Sequence, residues 1–259
     1  MDFMTKRDYA YQKLREDIVS GIIPSGAKLV INDLAEKYNL SAMPIRSAVA
    51  RLEEVGLVTS TPHIGAFVAS INLNDYFSLM LLRIEMEAAA AILTTLNPTE
   101  ETIALLEQTM EYMNSTAEAQ NLEEYGVANR RFHNIVYNAC NNQIVLQFVE
   151  NLMTRTKIAL HSFSAVPTTM SDSLEEHNRW LQAIKARDVL LSASIIRYHR
   201  CRANLAMLDH LKQTLTKPDS NDIFYQAFMN DVNAEALDGF IEIFSIIQEQ
   251  NSGWKTTKA

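Results

Sequence analysis

The stretch that decides the fold is residues 32–56, NDLAEKYNLSAMPIRSAVARLEEVG. Its first part predicts a short helix over 32–38 that ends at Asn39, and Ser41 then stands where it would cap a second helix. The apolar residues of that second helix recur at helical spacing on one face: Ile45, Ala48, Val49, Leu52 and Val55. Gly56 ends the helix. Two helices joined by a turn of a few residues predict a helix–turn–helix.

The flanking sequence adds a helix before this pair and two short strands after it. Leu14 and Ile18 repeat at helical spacing before a stop at Gly21. Residues 57–60 and 66–70 predict the two strands of a hairpin. This order of elements is that of a winged helix, in which the second helix of the pair meets base edges in the major groove of DNA.

The net charge is distributed unevenly along the chain. The 259 residues carry a formal net charge of −8, which taken alone argues against nucleic acid as a partner. Residues 1–70, however, hold eight basic and eight acidic side chains, so the acidity belongs to the remainder. With only two cysteines and no apolar run near the roughly 18 residues of a membrane helix, we expect a cytoplasmic protein with no membrane partner.

The remainder of the chain is helical in pattern. Only 7 glycines and 6 prolines interrupt the whole sequence, and the breaks after residue 76 are few. We predict a mainly α protein with four parts: a winged helix-turn-helix over 1–70, a linker over 71–75, an antiparallel helical bundle over 76–217, and an extension over 218–259. Residues 236–250 predict an amphipathic helix, which would either pack on its own domain or add to a dimer interface.

Three histidines lie on apolar faces of three different predicted helices: His133, His177 and His199. Burying imidazoles is unfavourable unless each has a partner. If the three converge, they would bind zinc or a similar divalent metal, for which neutral imidazole is a natural donor. Asn129 precedes His133 by four residues, so the two side chains reach one point. The alternative is three core histidines, each with a partner of its own.

Four segments of the first domain resemble the winged helix of the GntR family of bacterial transcription regulators. They are SGIIPSGAKL at 20–29, LSAMPIRSAV at 40–49, RLEEVGLV at 51–58 and GAFV at 65–68. The resemblance implies a DNA-binding surface that comprises Ser41, Met43, Arg46, Arg51, His63 and Gly65.

The arginines of this surface have alternative interpretations. Arg46 would reach a guanine or a phosphate, since the guanidinium fork suits both, or else it is a solvated helix arginine. Arg51 would contact phosphate or pair with a neighbouring acid, and His63 would contact the minor groove or be a plain surface residue. Ala42 stands where the family usually has an arginine, so we expect weak non-specific binding to DNA.

The second domain resembles the FCD ligand-binding domain of the FadR subfamily of GntR regulators, through NRRFH at 129–133, EH at 176–177 and ARD at 186–188. The resemblance implies a divalent metal, zinc before nickel or manganese, on Asn129, His133, His177 and His199. The family more often has Asp as the first of these ligands. The amide makes the site one charge more positive, which favours an anionic effector.

Arg83 resembles the arginine of an effector-binding helix in that family. It would hold the carboxylate of a small effector through two parallel hydrogen bonds. The alternative is an internal pair with Glu87, four residues on.

These resemblances imply a homodimeric regulator, which we expect to be a repressor on a pseudo-palindromic operator. A small carboxylate bound at the metal would lower its affinity for operator DNA. One rival is a metal-dependent hydrolase, although HExxH is absent and we expect Glu176 to point away from the histidine stripe. The other rival keeps DNA binding but gives the metal a purely structural role. In the regulator no residue is catalytic.

Overall fold

The computed structural model describes residues 5–70, 73–160, 170–215 and 234–255, and it confirms a mainly α fold. The first part contains α1 (Lys6–Val19), β1 (Lys28–Leu29), α2 (Ile31–Lys37), α3 (Ala42–Glu54), β2 (Val58–Thr61) and β3 (Gly65–Val68). The second part contains α4 (Leu73–Leu96), α5 (Glu100–Glu118), α6 (Leu122–Asn138), α7 (Gln143–Leu160), α8 (Met170–Ala186), α9 (Val189–Leu215), α10 (Ala234–Gln250) and a 3-10 turn at Gly253–Lys255.

Helices α1 and α3 pack together and share one hydrophobic core with the small sheet. Leu14 and Ile18 of α1 and Leu52 of α3 are buried there, as their helical spacing predicted. The sheet is antiparallel in the order β1-β3-β2, so the hairpin β2–β3 gains a third strand from the loop before α2. Strand β1 was not predicted, because two residues are too short to show an alternating pattern.

The wing turns at the tip of the hairpin. His63 adopts φ 64° and Gly65 φ 124°, and the Ile64 amide donates to the Thr61 carbonyl over 3.1 Å. A positive φ is rare for a histidine, and it lets the chain reverse within a few residues. Ser41 occupies the N-cap position of α3, as predicted, but its side chain makes no capping hydrogen bond.

The helical part is built around the pair α4 and α9, which pack most extensively against each other. Around this pair α5, α6, α7 and α8 complete one large core. The breaks predicted near residues 97–98 and 141–142 are present, and the Asn142 side chain caps α7 by accepting from the amides of Ile144 and Val145 at 3.1 Å. The break predicted near 166–167 lies outside the described residues.

The linker predicted over 71–75 extends too far toward the C-terminus. Helix α4 begins at Leu73, so Asp75 is helical rather than part of a linker over 71–75. The reason is that Tyr76 and Phe77 are both buried against α9 and α10, which extends the packed face of α4 to its first turn. An acidic residue in the first turn also suits the positive end of the helix dipole.

The amphipathic helix predicted in the extension is present as α10. Its Phe240 and Phe244 pack against Phe77 of α4, the first ring tilted and the second edge-on, with ring centroids 4.9 and 6.0 Å apart. The helix therefore packs on its own domain. Within the described residues, no helix is both long enough and apolar enough to cross a membrane.

Candidate functional site

The structure brings the three predicted histidines to one point. His133 comes from α6, His177 from α8 and His199 from α9, and all three are buried. Their nearest ring nitrogens lie within 4.8 Å of one another, and the Nε2 atoms of His133 and His177 are 3.1 Å apart. These are not three separate core histidines, because the convergence of the helices makes them a single cluster.

The opposite ring nitrogen of each histidine is held by a neighbour. His177 Nδ1 lies 2.6 Å from the Ser173 carbonyl, and His199 Nδ1 lies 2.6 Å from a Glu176 carboxylate oxygen. Both partners accept only, so both Nδ1 atoms carry the proton. His133 Nδ1 lies 3.0 Å from the Tyr137 hydroxyl, which donates its own proton to Glu87 over 2.5 Å and therefore accepts from the histidine.

It follows that all three Nε2 atoms carry lone pairs rather than protons. The two closest, on His133 and His177, face each other with no hydrogen available between them. Burial lowers the pKa of His177 to about 3, and burial likewise lowers the pKa values of His133 and His199. The rings therefore stay neutral near pH 7, and the arrangement is the one that metal-ligating histidines adopt, with outer partners on the far nitrogen.

The fourth predicted ligand also lacks a partner. The Asn129 side-chain oxygen is buried and accepts no hydrogen bond from any described residue. It lies one helical turn before His133 on α6, so it fits the same point. A buried oxygen without a partner, one turn from a member of the histidine cluster, is the kind of donor that would complete a divalent cation site.

A charged network lies behind His133. Glu87 of α4 is fully buried and accepts from Arg83 over 2.7 Å, from Tyr137 and from Arg200. Burial alone would raise the pKa of Glu87, but Arg200 and then Arg83 lower it to about 2. The internal Arg83–Glu87 pair, one of the two sequence interpretations, is therefore present. The sequence analysis missed Arg200 and Tyr137. Their positions could have indicated them, because Arg200 directly follows His199 and Tyr137 lies one helical turn after His133.

The expectation for Glu176 was wrong. The side chain is buried, it accepts from His199, and it accepts from Arg202 over 2.6 Å and 2.8 Å. Burial alone would raise the pKa of Glu176, but the His199 and Arg202 hydrogen bonds lower it to about 2. Helix α8 is enclosed by both α5 and α9, so a residue beside the histidine stripe is buried as well.

Five of the six residues predicted to bind DNA are exposed on the winged helix. Ser41, Met43 and Arg46 are exposed at the start of α3, and His63 and Gly65 are exposed at the tip of the wing.

Arg51 lies at the flank of α3 and is already paired. It donates to Asp8 over 3.0 Å and stacks on Tyr11, yet its side chain stays 43% exposed. An open groove of about 580 Å³ joins Arg51 to Lys6 and Arg7 of α1. The sequence did not indicate Lys6 and Arg7, because only the packing of α1 on α3 brings them beside the second helix.

The fold and the site together define a class of protein: a winged helix joined to an all-helical domain that contains a buried histidine cluster. The gntR family of bacterial regulatory proteins matches residues 6–68, and the FCD domain matches residues 78–201. The chain belongs to the GntR family of transcription regulators and carries an FCD domain.

Three relatives show the extent of the similarity. The HTH-type transcriptional repressor RspR of Escherichia coli is 28% identical over 180 residues, covering 69% of this chain and 78% of RspR. An uncharacterized HTH-type regulator from the TAR-I ttuE-ttuC' intergenic region of Agrobacterium vitis is 30% identical over 127 residues, covering 48% of this chain and 74% of that protein. The solved structure of E. coli McbR/YncC shares the fold, with a TM-score of 0.59 and 23% identity over 87% of this chain and all of that one.

Both matched families and the named relatives are transcription regulators. The chain is therefore a DNA-binding regulator and not an enzyme, and the hydrolase alternative falls away.

Glu87→Gln should strongly destabilise the helical domain. The variant leaves Arg83 and Arg200 without the carboxylate that compensates them, which costs about 3–5 kcal/mol of unfolding free energy for a buried pair. Urea unfolding at pH 7 measures the loss. The ordinary pKa of this carboxyl is 4.5, so its contribution is complete above that pH and is lost as the pH falls toward 2.

Glu85→Gln is the matched control on the same helix. Glu85 pairs with Arg197 over 2.8 Å, but its side chain is 52% exposed, so we expect a loss below about 1 kcal/mol. Similar losses for the two variants would show that the Glu87 network is not the stabilising element.

Proposed function

We propose that the protein is a cytoplasmic, homodimeric repressor whose affinity for operator DNA is set by a divalent metal and a small carboxylate in the FCD domain. The observation that supports this best is the buried cluster of three imidazoles, with an unsatisfied amide oxygen one helical turn before His133. The relative RspR is named a repressor, which agrees with the proposed direction of regulation.

The metal would be held by Asn129, His133, His177 and His199. Three nitrogens and one oxygen suit zinc, while nickel and manganese are the alternatives. When bound, the metal supplies a positive charge that attracts anionic ligands. The four donors are neutral, so none of that charge is cancelled by its ligands.

The effector would compete with a carboxylate that the protein already contains. Glu87 occupies Arg83 and Arg200 beside His133, and an incoming carboxylate has the same charge and the same two-oxygen geometry. Arg83 is the residue that we propose for this contact. Its exchange of partners would link effector binding to a rearrangement inside the domain.

On the DNA side, Ser41, Met43 and Arg46 would meet base edges, and His63 and Gly65 would lie along the adjacent groove. Arg51 would contact the phosphate backbone of the DNA together with Lys6 and Arg7, which are exposed in the same groove. Two such surfaces in a dimer would read the two halves of a pseudo-palindromic operator.

The proposed contacts with DNA phosphates predict how the affinity for DNA depends on salt concentration. Replacing both Lys6 and Arg7 by Ala removes up to two phosphate contacts, so the slope of log K against log salt should flatten by roughly 0.9 per contact. Fluorescence anisotropy on a random-sequence duplex measures this without knowledge of the operator. Lys13→Ala on the same helix, whose partner is Glu16, is the control and should leave the slope unchanged. An unchanged slope in the double variant would exclude this groove.

The metal centre predicts one bound zinc per chain, measured by competition with a chromophoric chelator. His177→Ala should weaken binding by more than about 100-fold, because removing a ligand exceeds the 10–100-fold effect of an outer partner. His63→Ala at the exposed wing tip is the matched control. Asn129→Asp should tighten binding, because it replaces a neutral oxygen by a charged one. Wild-type affinity in His177→Ala would contradict the assignment.

Titration with small carboxylates distinguishes the proposed effector control from the alternative in which the metal has a purely structural role. Under the proposal, a dicarboxylate or hydroxy acid raises the melting temperature of the zinc form and lowers its affinity for operator DNA, and Arg83→Gln weakens both effects. If chelation unfolds the domain and no acid in the panel raises the melting temperature, the structural role is the correct one.

A further inference from the structure

We propose that helix α7 couples the histidine centre to the winged helix, through two threonines that are held by arginines on opposite sides of the helix. The inference rests on the proposed function, because it concerns how the state of the metal centre reaches the DNA-binding surface. Thr156 and Thr154 lie two residues apart, which places them about 200° apart around the helix axis.

On one side, α7 is tied to the histidine centre by a continuous chain of hydrogen bonds. His133 donates to Tyr137, Tyr137 donates to Glu87, and Glu87 accepts from Arg83 at 2.7–2.8 Å. Arg83 then donates through its other guanidinium nitrogen to the Thr156 hydroxyl over 3.0 Å. Glu87 and Thr156 are both fully buried, and the Arg83 side chain that joins them is 12% exposed.

On the other side, α7 is tied to the winged helix. Arg15 of α1 donates to the Thr154 hydroxyl over 2.7 Å. One turn earlier, the Asn151 side-chain amide donates over 3.3 Å to the carbonyl of Val55, the C-cap residue that follows α3. Arg155 lies over Gly56, where an added Cβ would be 3.3 Å from its guanidinium carbon. The end of the helix that we assign to base recognition therefore rests on α7.

The two threonines have the same chemistry. Thr154 donates its hydroxyl proton to the Glu150 carbonyl over 2.7 Å, and Thr156 donates to the Leu152 carbonyl over 2.8 Å. Each hydroxyl therefore has its lone pairs free for an arginine from a neighbouring helix. Because both are fixed to the same rigid helix, a change in the Arg83 contact shifts the surface that receives Arg15 and the end of α3.

The coupling has a physical cause at the centre. Arg83 divides its donors between Glu87 and Thr156, and Glu87 is shared with Tyr137 and Arg200. A metal that fixes His133, or a carboxylate that displaces Glu87, changes what Arg83 can bind. Such a differential contact between two states is what allosteric coupling requires.

Thr154→Val and Thr156→Val test the inference, since each removes an acceptor and keeps the shape of the side chain. The readout is the affinity for operator DNA of the zinc form divided by that of the form stripped with chelator. The operator duplex is the one that the protein enriches from fragments of the genome that encodes it. For a wild-type ratio of about 5-fold or more, a common size for allosteric coupling, we expect each variant to reduce the ratio to within 2-fold of unity. Zinc affinity should stay within 2-fold of wild type.

Thr109→Val is the matched control, because this buried hydroxyl on α5 donates to its own helix, at the Leu105 carbonyl. It should keep the wild-type ratio. Arg15→Gln removes the Thr154 contact from the side of α1, and it replaces Thr154→Val if that variant fails to fold. The double variant of Thr154 and Thr156 should lose no more coupling than either single one, as expected for one shared route.

The possible failures are distinct. If wild type shows no difference between the zinc and stripped forms, metal control of DNA binding is wrong, and this inference falls with it. If wild type responds and Thr154→Val, Thr156→Val and Arg15→Gln respond equally, the proposed function stands and α7 is not the coupling element.

Discussion

Three neutral imidazoles whose lone pairs face one another are the constraint on which the helical domain depends. Each ring is fixed by an acceptor on its far nitrogen, so none of the three can turn a proton toward the others. Two like dipole ends at 3.1 Å in a buried setting repel each other. The folding of three separate helices brings this repulsion into the core, and a cation between the rings is the arrangement that relieves it.

Two buried carboxylates support this centre in different ways. Glu176 orients His199 directly and is itself held by Arg202, so it acts on a ring of the histidine cluster. Glu87 acts one step further out, through Tyr137, and it also gathers two arginines from α4 and α9. The same carboxylate that compensates two arginines thus connects the histidine cluster to the rest of the domain.

Many of the helices and site residues were predictable from the sequence because they follow from residue spacing within one element. The recognition helix, the hairpin, the three histidine stripes and the amphipathic helix in the extension all depend on periodicity, and Asn129 and His133 meet because they are four residues apart. Strand β1 escaped prediction because two residues carry no pattern. The start of α4 was misplaced because the contacts that hold this end of the helix, through Tyr76 and Phe77, are made with α9 and α10, which lie far along the chain.

The sequence by itself determined the family, the mainly helical fold and the histidines that belong to the site, since motifs and helical faces are local properties. Only the tertiary structure decided which nitrogen of each ring is free, that Glu176 turns inward, and that Arg200 joins Arg83 on Glu87. It alone placed Lys6 and Arg7 beside Arg51, and Thr154 and Thr156 on opposite sides of α7 between two arginines. These are contacts between helices, and their partners are set by packing over long distances in the chain, which the order of residues within one helix does not encode.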